Sequence, residues 1–368
     1  METIGNIWDY AWPFLVILTV IVFAHEMGHY LVARFNKVRV EVFSVGFGPE
    51  LFGINDRYGT RWKFSLLPLG GYVKFFGDAN IASASAEGSK DLSLEEKNYS
   101  FHHKRVGQRA AIALGGPAAN FLLAIVLFAI LFATTGQRFP PAEINQIAPN
   151  SPAEEAGLQA GDKILGVDGS SIERFEELQF IVQQRPEETM AFEILRNGST
   201  QIIDITPALV EREDQFGTIH KIGQIGIIKS GVAFKKHDPG SALWTSVKET
   251  GFMTWATLKA IGQMIVGSRS TEELGGPIRI AEMSGQVAQQ GFVTVLFFMA
   301  VLSINLGLIN LFPVPLLDGG HLIFYLFEAI RGKPLQPKVQ EIGLRIGFIL
   351  VIALMIWMTT KDVIRLGS

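Results

Sequence analysis

Ala11–His29 reads AWPFLVILTVIVFAHEMGH. Ala11 to Ala24 carries no charge, and then His25, Glu26 and His29 follow at once. A membrane-spanning helix needs about 20 apolar residues. The run reaches that length only if its helix continues through His25, Glu26 and His29. On a helix, positions i and i+4 share a face, so the two imidazoles would stand side by side. Two histidines so placed can bind one Zn²⁺, and the glutamate between them can activate a water. Such groups at the end of an apolar span are expensive to bury without a function or partners. A secretory signal peptide is the competing reading of the run. The acidic or neutral flank (Glu2, Asp9) and the lack of a small-residue cleavage site argue against it.

Three more uncharged runs follow: Ala110–Gly136, Gly291–Leu317 and Ile346–Thr360. The expected fold is a polytopic α-helical membrane protein with four transmembrane helices. Composition agrees: 48% of residues are hydrophobic and only 18% charged, below the roughly 25% of soluble domains. The 32 Lys+Arg and 35 Asp+Glu leave a net charge of −3, without the basic excess a nucleic-acid binder needs. There are no cysteines, which excludes disulfides, thiolate zinc ligands and thiol catalysis.

Resolved along the chain, the charge is uneven. Leu31–Ala110 holds 12 basic and 8 acidic residues, a net of +4. Arg331–Arg345 holds 4 basic and 1 acidic, a net of +3. Pro140–Ser230 holds 7 basic and 15 acidic, a net of −8. The positive-inside rule then places the two basic loops in the cytoplasm, and both termini and the acidic segment outside. Lys361 and Arg365, after the last span, run against that assignment.

From Phe139 to about Ile228 the pattern changes to short mixed segments. Ile144–Ile147 reads as a strand. Ser151 as N-cap, Pro152 at the first helical position and Gly157 at the end specify one short helix. Lys163–Val167 is a strand before the hairpin signal Asp168-Gly169. Phe175–Gln184 reads as a helix, and Met190–Leu195 and Gln201–Ile205 as strands around Asn197-Gly198. The string SPAEEAGLQAGDKILGVDG, Ser151–Gly169, resembles the PDZ domains of bacterial proteases. That resemblance implies an inserted α+β domain of the circularly permuted form, its sheet closed by Lys221–Ile228. Such domains capture peptides by strand addition; a spacer or size filter is the equal alternative.

A hydrolytic zinc site wants a third protein ligand and an open position. In Asn310-Leu-Phe-Pro-Val-Pro-Leu-Leu-Asp318-Gly-Gly-His321, Asp318 is the only carboxylate between Gly291 and Leu326. Pro313 and Pro315 break the helix before it, and Gly319-Gly320 permits close backbone approach. Irregular backbone at membrane depth is tolerated where it lines a cavity. His321 is a rival ligand, but is expected to pack nearby or support the site from behind.

HExxH in a first span and NxxPxPxLDGG in a late one resemble the site-2 protease family of intramembrane zinc metalloproteases. With GGPAAN (Gly115–Asn120) and the intervening PDZ-like segment, the chain is similar to the bacterial RseP-type members, in a single-PDZ version. The resemblance implies Zn²⁺ held by His25, His29 and Asp318, with Glu26 as general base. It implies that Asn310 and Asn305 hold the substrate backbone. It implies cleavage of the transmembrane segments of single-span proteins such as anti-sigma factors, and of remnant signal peptides, in the bacterial inner membrane. An inactive PDZ-bearing scaffold is the alternative. A transporter is disfavoured, because no repeats link the spans.

Arg61–Phe76 alternates polar and apolar residues about Pro68-Leu-Gly-Gly71, a hairpin pattern, preceded by the similar Val45–Phe52. The resemblance makes this a membrane-associated β-region beside the catalytic centre. Trp244–Val266 is expected as an interfacial amphipathic helix, and Ala82–Lys90 as a flexible loop. Gly275–Ala281 is family-like, with no chemical role assigned. The expected division is therefore 1–138, the first two spans with HExxH and the hairpin; 139–230, a periplasmic PDZ domain; 231–290, an interfacial linker; and 291–368, the last two spans with LDG.

Overall fold

The computed structural model describes residues 2–77, 92–139, 141–172, 175–213, 219–229, 233–267 and 275–367. The expected loop at Ala82–Lys90 lies outside the described residues. The chain divides into two compact units. The first comprises Met1–Leu131, Pro239–Ile261 and Ser270–Ser368; the second comprises Phe132–Asp238 with Gly262–Arg269.

In the first unit, helix α1 (Glu2–Phe35) runs unbroken through HExxH. Strands β1 (Val40–Asn55) and β2 (Arg61–Phe75) follow. After the short α2 (Leu94–Lys97), helix α3 (Val106–Thr134) carries the GGPAAN segment. Among the described residues, four helices are long and apolar enough to cross a membrane: Trp8–Phe35, Val106–Thr134, Phe292–Asn310 and Pro337–Arg365. The chain is a multi-pass membrane protein. The four differ in packing. Of its apolar stretch, α3 buries 44% inside the protein, whereas the last helix buries 6%. The last helix is therefore peripheral, and its exposed Ile349, Leu350 and Ile356 suit lipid rather than water.

The strands are joined at Asp56–Thr60, and Pro68-Leu-Gly-Gly71 lies inside β2, where the chain reverses: Arg61 to Phe64 follows Val42 to Val45 in register, and Gly71 to Lys74 runs back along its other side. The two arms thus flank β1 rather than pairing with each other. Asp56 builds the first turn. Its Oδ1 accepts from the backbone N–H groups of Tyr58 and Thr60 at 2.8 and 2.9 Å. Gly59 takes the left-handed conformation that closes the turn, with φ 82°. The start of β1 is flanked twice. Val42 to Val45 lie beside Lys74 to Gly71 on one side and Arg61 to Phe64 on the other. Gly71–Phe75 is thereby left as an outer strand. Phe43 stacks on Trp62 at 4.3 Å, and Tyr30 of α1 meets that ring edge-on at 5.1 Å. Tyr30, Ala33, Val40, Phe43 and Phe101 form the core that seats the hairpin on α1.

The second unit begins at β3 (Gln137–Phe139) and β4 (Ile144–Ile147). Helix α4 (Pro152–Glu155) starts as expected, with Ser151 Oγ accepting from Glu154 N. Strands β5 (Lys163–Val167), β6 (Ser170–Ser171), β7 (Met190–Arg196) and β8 (Ser199–Ile205) form one sheet in the order β6-β5-β7-β8, with α5 (Phe175–Gln184) between β6 and β7 in sequence. Ile164, Leu178, Met190, Phe192 and Ile194 are almost fully buried in its core, each contributing about 1.5–3 kcal/mol over exposure. Strand β9 (Ala208–Glu213) pairs with β10 (Ile219–Gln224) in a separate hairpin. Only β11 (Ile227–Lys229) reaches back to pair with β4. Lys221–Ile228 is thus two elements rather than one closing strand, divided at Gly226 with φ 79°. Finally, β12 (Ala233–Lys235) pairs with β3.

The chain then forms α6 (Pro239–Ile265), α7 (Pro277–Gln289), α8 (Phe292–Asn310), α9 (Asp318–Arg331) and α10 (Pro337–Gly367). Helix α8 ends at Asn310, ahead of Pro313 and Pro315, and α9 begins at Asp318. Gly347 of α10 packs against the carbonyl of Pro315, so close that any side chain there would overlap it. Gly275–Ala281 contains the start of α7, where buried Asp362 of α10 accepts from the N–H groups of Gly276 and Arg279 at 3.1 and 3.0 Å.

Candidate metal centre

Helical spacing puts His25 and His29 on one face of α1, with ring centroids 4.8 Å apart. Their Nε2 atoms lie 3.2 Å from each other. The break after α8 delivers Asp318 to the same point. Its Oδ2 is 3.2 Å from His25 Nε2, and its Oδ1 is 3.4 Å from His29 Nε2. One ligand atom from each of the three falls within 4.8 Å of the others.

The donor set fits a divalent cation. Three electron-pair donors converge, and Oδ2 of Asp318 is buried with no hydrogen-bond partner among the described residues, despite its approach to His25. A shared cation would satisfy acceptors that converge in a buried place. Two imidazoles and a carboxylate are the ligands zinc takes in hydrolytic sites, where a fourth position stays open.

Helix α3 shapes the back of the site. Gly116 faces the two imidazoles: a Cβ there would lie 2.7 Å from His25 Nε2 and would also overlap His29 Nε2. The space a metal needs exists because residue 116 has no side chain. Ile112 accepts at its carbonyl from His29 Nδ1, 2.8 Å away, which leaves Nε2 free to coordinate. Asn120 stands 3.1 Å from His25 Nδ1. None of these roles is visible in α3 alone; the small residues of GGPAAN were the one signal available.

The site opens into a cavity of about 560 Å³. Its lining includes His25, Glu26, His29, Asn310, Asp318 and the outer strand residues Gly71, Tyr72 and Val73. Glu26 lies against that strand: a Cβ at Gly71 would be 3.0 Å from Glu26 Cγ. His321 lines the same cavity, near Tyr325, but is not in the ligand group. Asn305 is not in the lining; its side chain lies 3.4 Å from Thr257 Oγ1 of α6, within hydrogen-bonding reach. At the far side Arg109 of α3 pairs with Glu328 of α9 at 2.5 Å, both largely buried, an ion pair that sequence reading missed.

A His-His-carboxylate group in a bundle of membrane-crossing helices, with a glutamate in the same cavity wall, defines a membrane-embedded metallohydrolase. Residues 13–354 match Peptidase family M50, and the chain belongs to that family. A protein of Agrobacterium fabrum named as a "putative zinc metalloprotease" is 42% identical over 99% of this chain and 98% of its own. Metalloprotease MmpA of Caulobacter vibrioides is 34% identical over 95% of this chain and 94% of its own. Among solved structures, the PDZ domain of an SdrC-like protein from Listeria monocytogenes aligns at 21% identity and a TM-score of 0.20, covering 25% of this chain and 88% of that one. The protein is a zinc metalloprotease of the site-2 type.

Proposed function

We propose that this metalloprotease cleaves the transmembrane segments of single-span membrane proteins, with anti-sigma factors and remnant signal peptides as the substrate classes. In this reading His25, His29 and Asp318 hold the zinc and Glu26 is the general base. The observation that carries it is the convergence of the three ligand atoms within 4.8 Å, with Glu26 in the same cavity wall. When bound, zinc supplies Lewis acidity toward a carbonyl and a water. Glu26 takes the proton of the attacking water and delivers it to the leaving amine.

A spanning substrate must first be unwound, since a helix keeps its peptide bonds bonded internally. The outer strand Gly71–Phe75 offers backbone groups on which an extended segment can pair. It does so beside Glu26. Asn310, at the end of α8 and in the cavity, is assigned to the substrate backbone. Asn305, engaged with Thr257, acts one step removed by holding α6 to α8. The second unit is read as a PDZ domain that filters or captures substrate ends. The basic loops support a reading in which the hairpin and the cavity face the cytoplasm across a bacterial inner membrane, with the termini and the acidic unit in the periplasm.

The test is a purified Glu26→Gln protein incubated with a single-span substrate, the products identified by intact mass. Expected is a loss of about 10²–10⁴-fold in rate with zinc content unchanged. Undiminished cleavage would remove Glu26 from the mechanism. Absence of cleavage by the wild type on every single-span protein offered would favour the scaffold reading.

A further inference from the structure

Asn120 lies in the membrane-crossing part of α3 and is fully buried. A buried amide is costly unless all its groups are bonded. With its nitrogen turned to His25 Nδ1, 3.1 Å away, its Oδ1 is buried without a partner among the described residues. Amide orientation is fixed by the surrounding hydrogen bonds, not by the shape of the group.

The chemistry of the ligand set selects the other orientation. His25 Nε2 points at Asp318 and His29. A neutral imidazole that coordinates through Nε2 carries its proton on Nδ1 and needs an acceptor there. Turning the amide by half a revolution puts Oδ1 on that proton, with Nδ2 then facing the place Oδ1 had held. The neighbouring ligand is held in the same way, His29 Nδ1 donating to the carbonyl of Ile112. Asn120 is itself fixed from a third helix, because Ser303 Oγ of α8 donates to its backbone carbonyl at 2.8 Å.

We propose that Asn120 is the positioning residue for the zinc ligand His25. Its amide oxygen accepts from Nδ1–H, setting the tautomer and ring plane that present Nε2 to the metal. The inference rests on His25 being a ligand, so the experiment must separate the two claims.

Zinc affinity is measured on the full-length protein in detergent by competition with a chromophoric chelator, and the site geometry by the visible spectrum of the cobalt-substituted protein. Four proteins are compared: wild type, Asn120→Leu, Asn120→Asp and His25→Ala. Leucine fills the space without an acceptor; aspartate restores one. Expected is a weakening of zinc binding by about 10–100-fold in Asn120→Leu with an altered cobalt spectrum, and recovery of both in Asn120→Asp. Wild-type affinity in Asn120→Leu, while His25→Ala loses zinc, overturns the positioning role and leaves the ligand assignment standing. Wild-type affinity in His25→Ala overturns the ligand assignment and this inference with it. Should Asn120→Leu fail to fold, Asn120→Asp decides alone: retained affinity supports the acceptor role, and loss overturns it.

Discussion

Gly28 of α1 and Gly115 of α3 touch backbone to backbone. A Cβ on Gly115 would lie 2.7 Å from the carbonyl oxygen of Gly28, and a Cβ on Gly28 would overlap the carbonyl oxygen of Gly115. The contact sits one residue before His29 on one helix and one before Gly116 on the other. It therefore sets how near His25 and His29 come to α3. Gly115→Ala is expected to part the helices. The cost of overpacking, about 1–3 kcal/mol, outweighs the gain of about 1 kcal/mol in helix propensity. Thermal unfolding in detergent should fall and zinc content with it. A variant as stable and as zinc-replete as the wild type would show that the contact is loose.

Gly116→Ala tests a different quantity. Its methyl group would enter the space between His25 and His29, 2.7 Å from the Nε2 of His25. The helix itself gains about 1 kcal/mol from alanine. Zinc stoichiometry should drop well below one per chain while the zinc-free protein unfolds no earlier than the wild type. Full zinc occupancy would mean that the imidazoles rotate away from α3.

Asp56→Ala should loosen the hairpin without touching His25, His29 or Asp318. The carboxylate accepts from Tyr58 N, Thr60 N, Tyr30 Oη and Trp62 Nε1. Leaving such donors unpaired costs about 1–3 kcal/mol where they are buried. Hydrogen exchange over Val40–Phe75 should accelerate, and cleavage should slow if the outer strand receives substrate. Faster exchange with unchanged cleavage would separate the strand from catalysis.

In the second unit, stability should depend on Asp162. Burial alone would push its carboxyl up. The bonds from Arg196 at 2.6 and 2.7 Å and from the Gln159 amide more than offset this, holding it below its ordinary 3.8. A carboxyl depressed by folding stabilises fully above its ordinary value, and that contribution fades as pH falls through the lower folded value. Amide protection across Met190–Ile205 should therefore weaken on acidification past 3.8. In Asp162→Asn that step should be absent, with protection already reduced at neutral pH. An identical acid profile in both proteins would place the pH dependence elsewhere.

The residues that converge, His25, His29 and Asp318, were legible because each rests on local arithmetic. His25 and His29 are spaced by one helical turn, and Asp318 is the single carboxylate in a long apolar stretch. The first turn of the β-region was not. Pro68-Leu-Gly-Gly71 carries the local chemistry of a turn, and the chain reverses there, whereas Asp56–Thr60 turns because one carboxylate gathers amides and side chains, Trp62 and Tyr30 among them. Lys221–Ile228 misleads in a similar way: continuous as sequence, it is divided at Gly226 between two partners. Gly28, Gly115, Gly116 and Asn120 owe their roles to the apposition of two helices, and no periodicity within either announces a partner 80 or more residues distant.

Asp362 belongs to the end of the last helix, yet it caps the first turn of α7, the segment that leads into α8. The two ends of the late membrane region are thus tied by one buried carboxylate, with Arg365 and Glu282 paired nearby. Joined in this way, α7, α8, α9 and α10 make a closed loop rather than a string. A chain cut before Asp362 would open that loop while keeping every residue of the metal centre, and so would show whether the protease tolerates a cleaved or shortened tail. A fusion partner appended after Ser368 would leave the clasp shut.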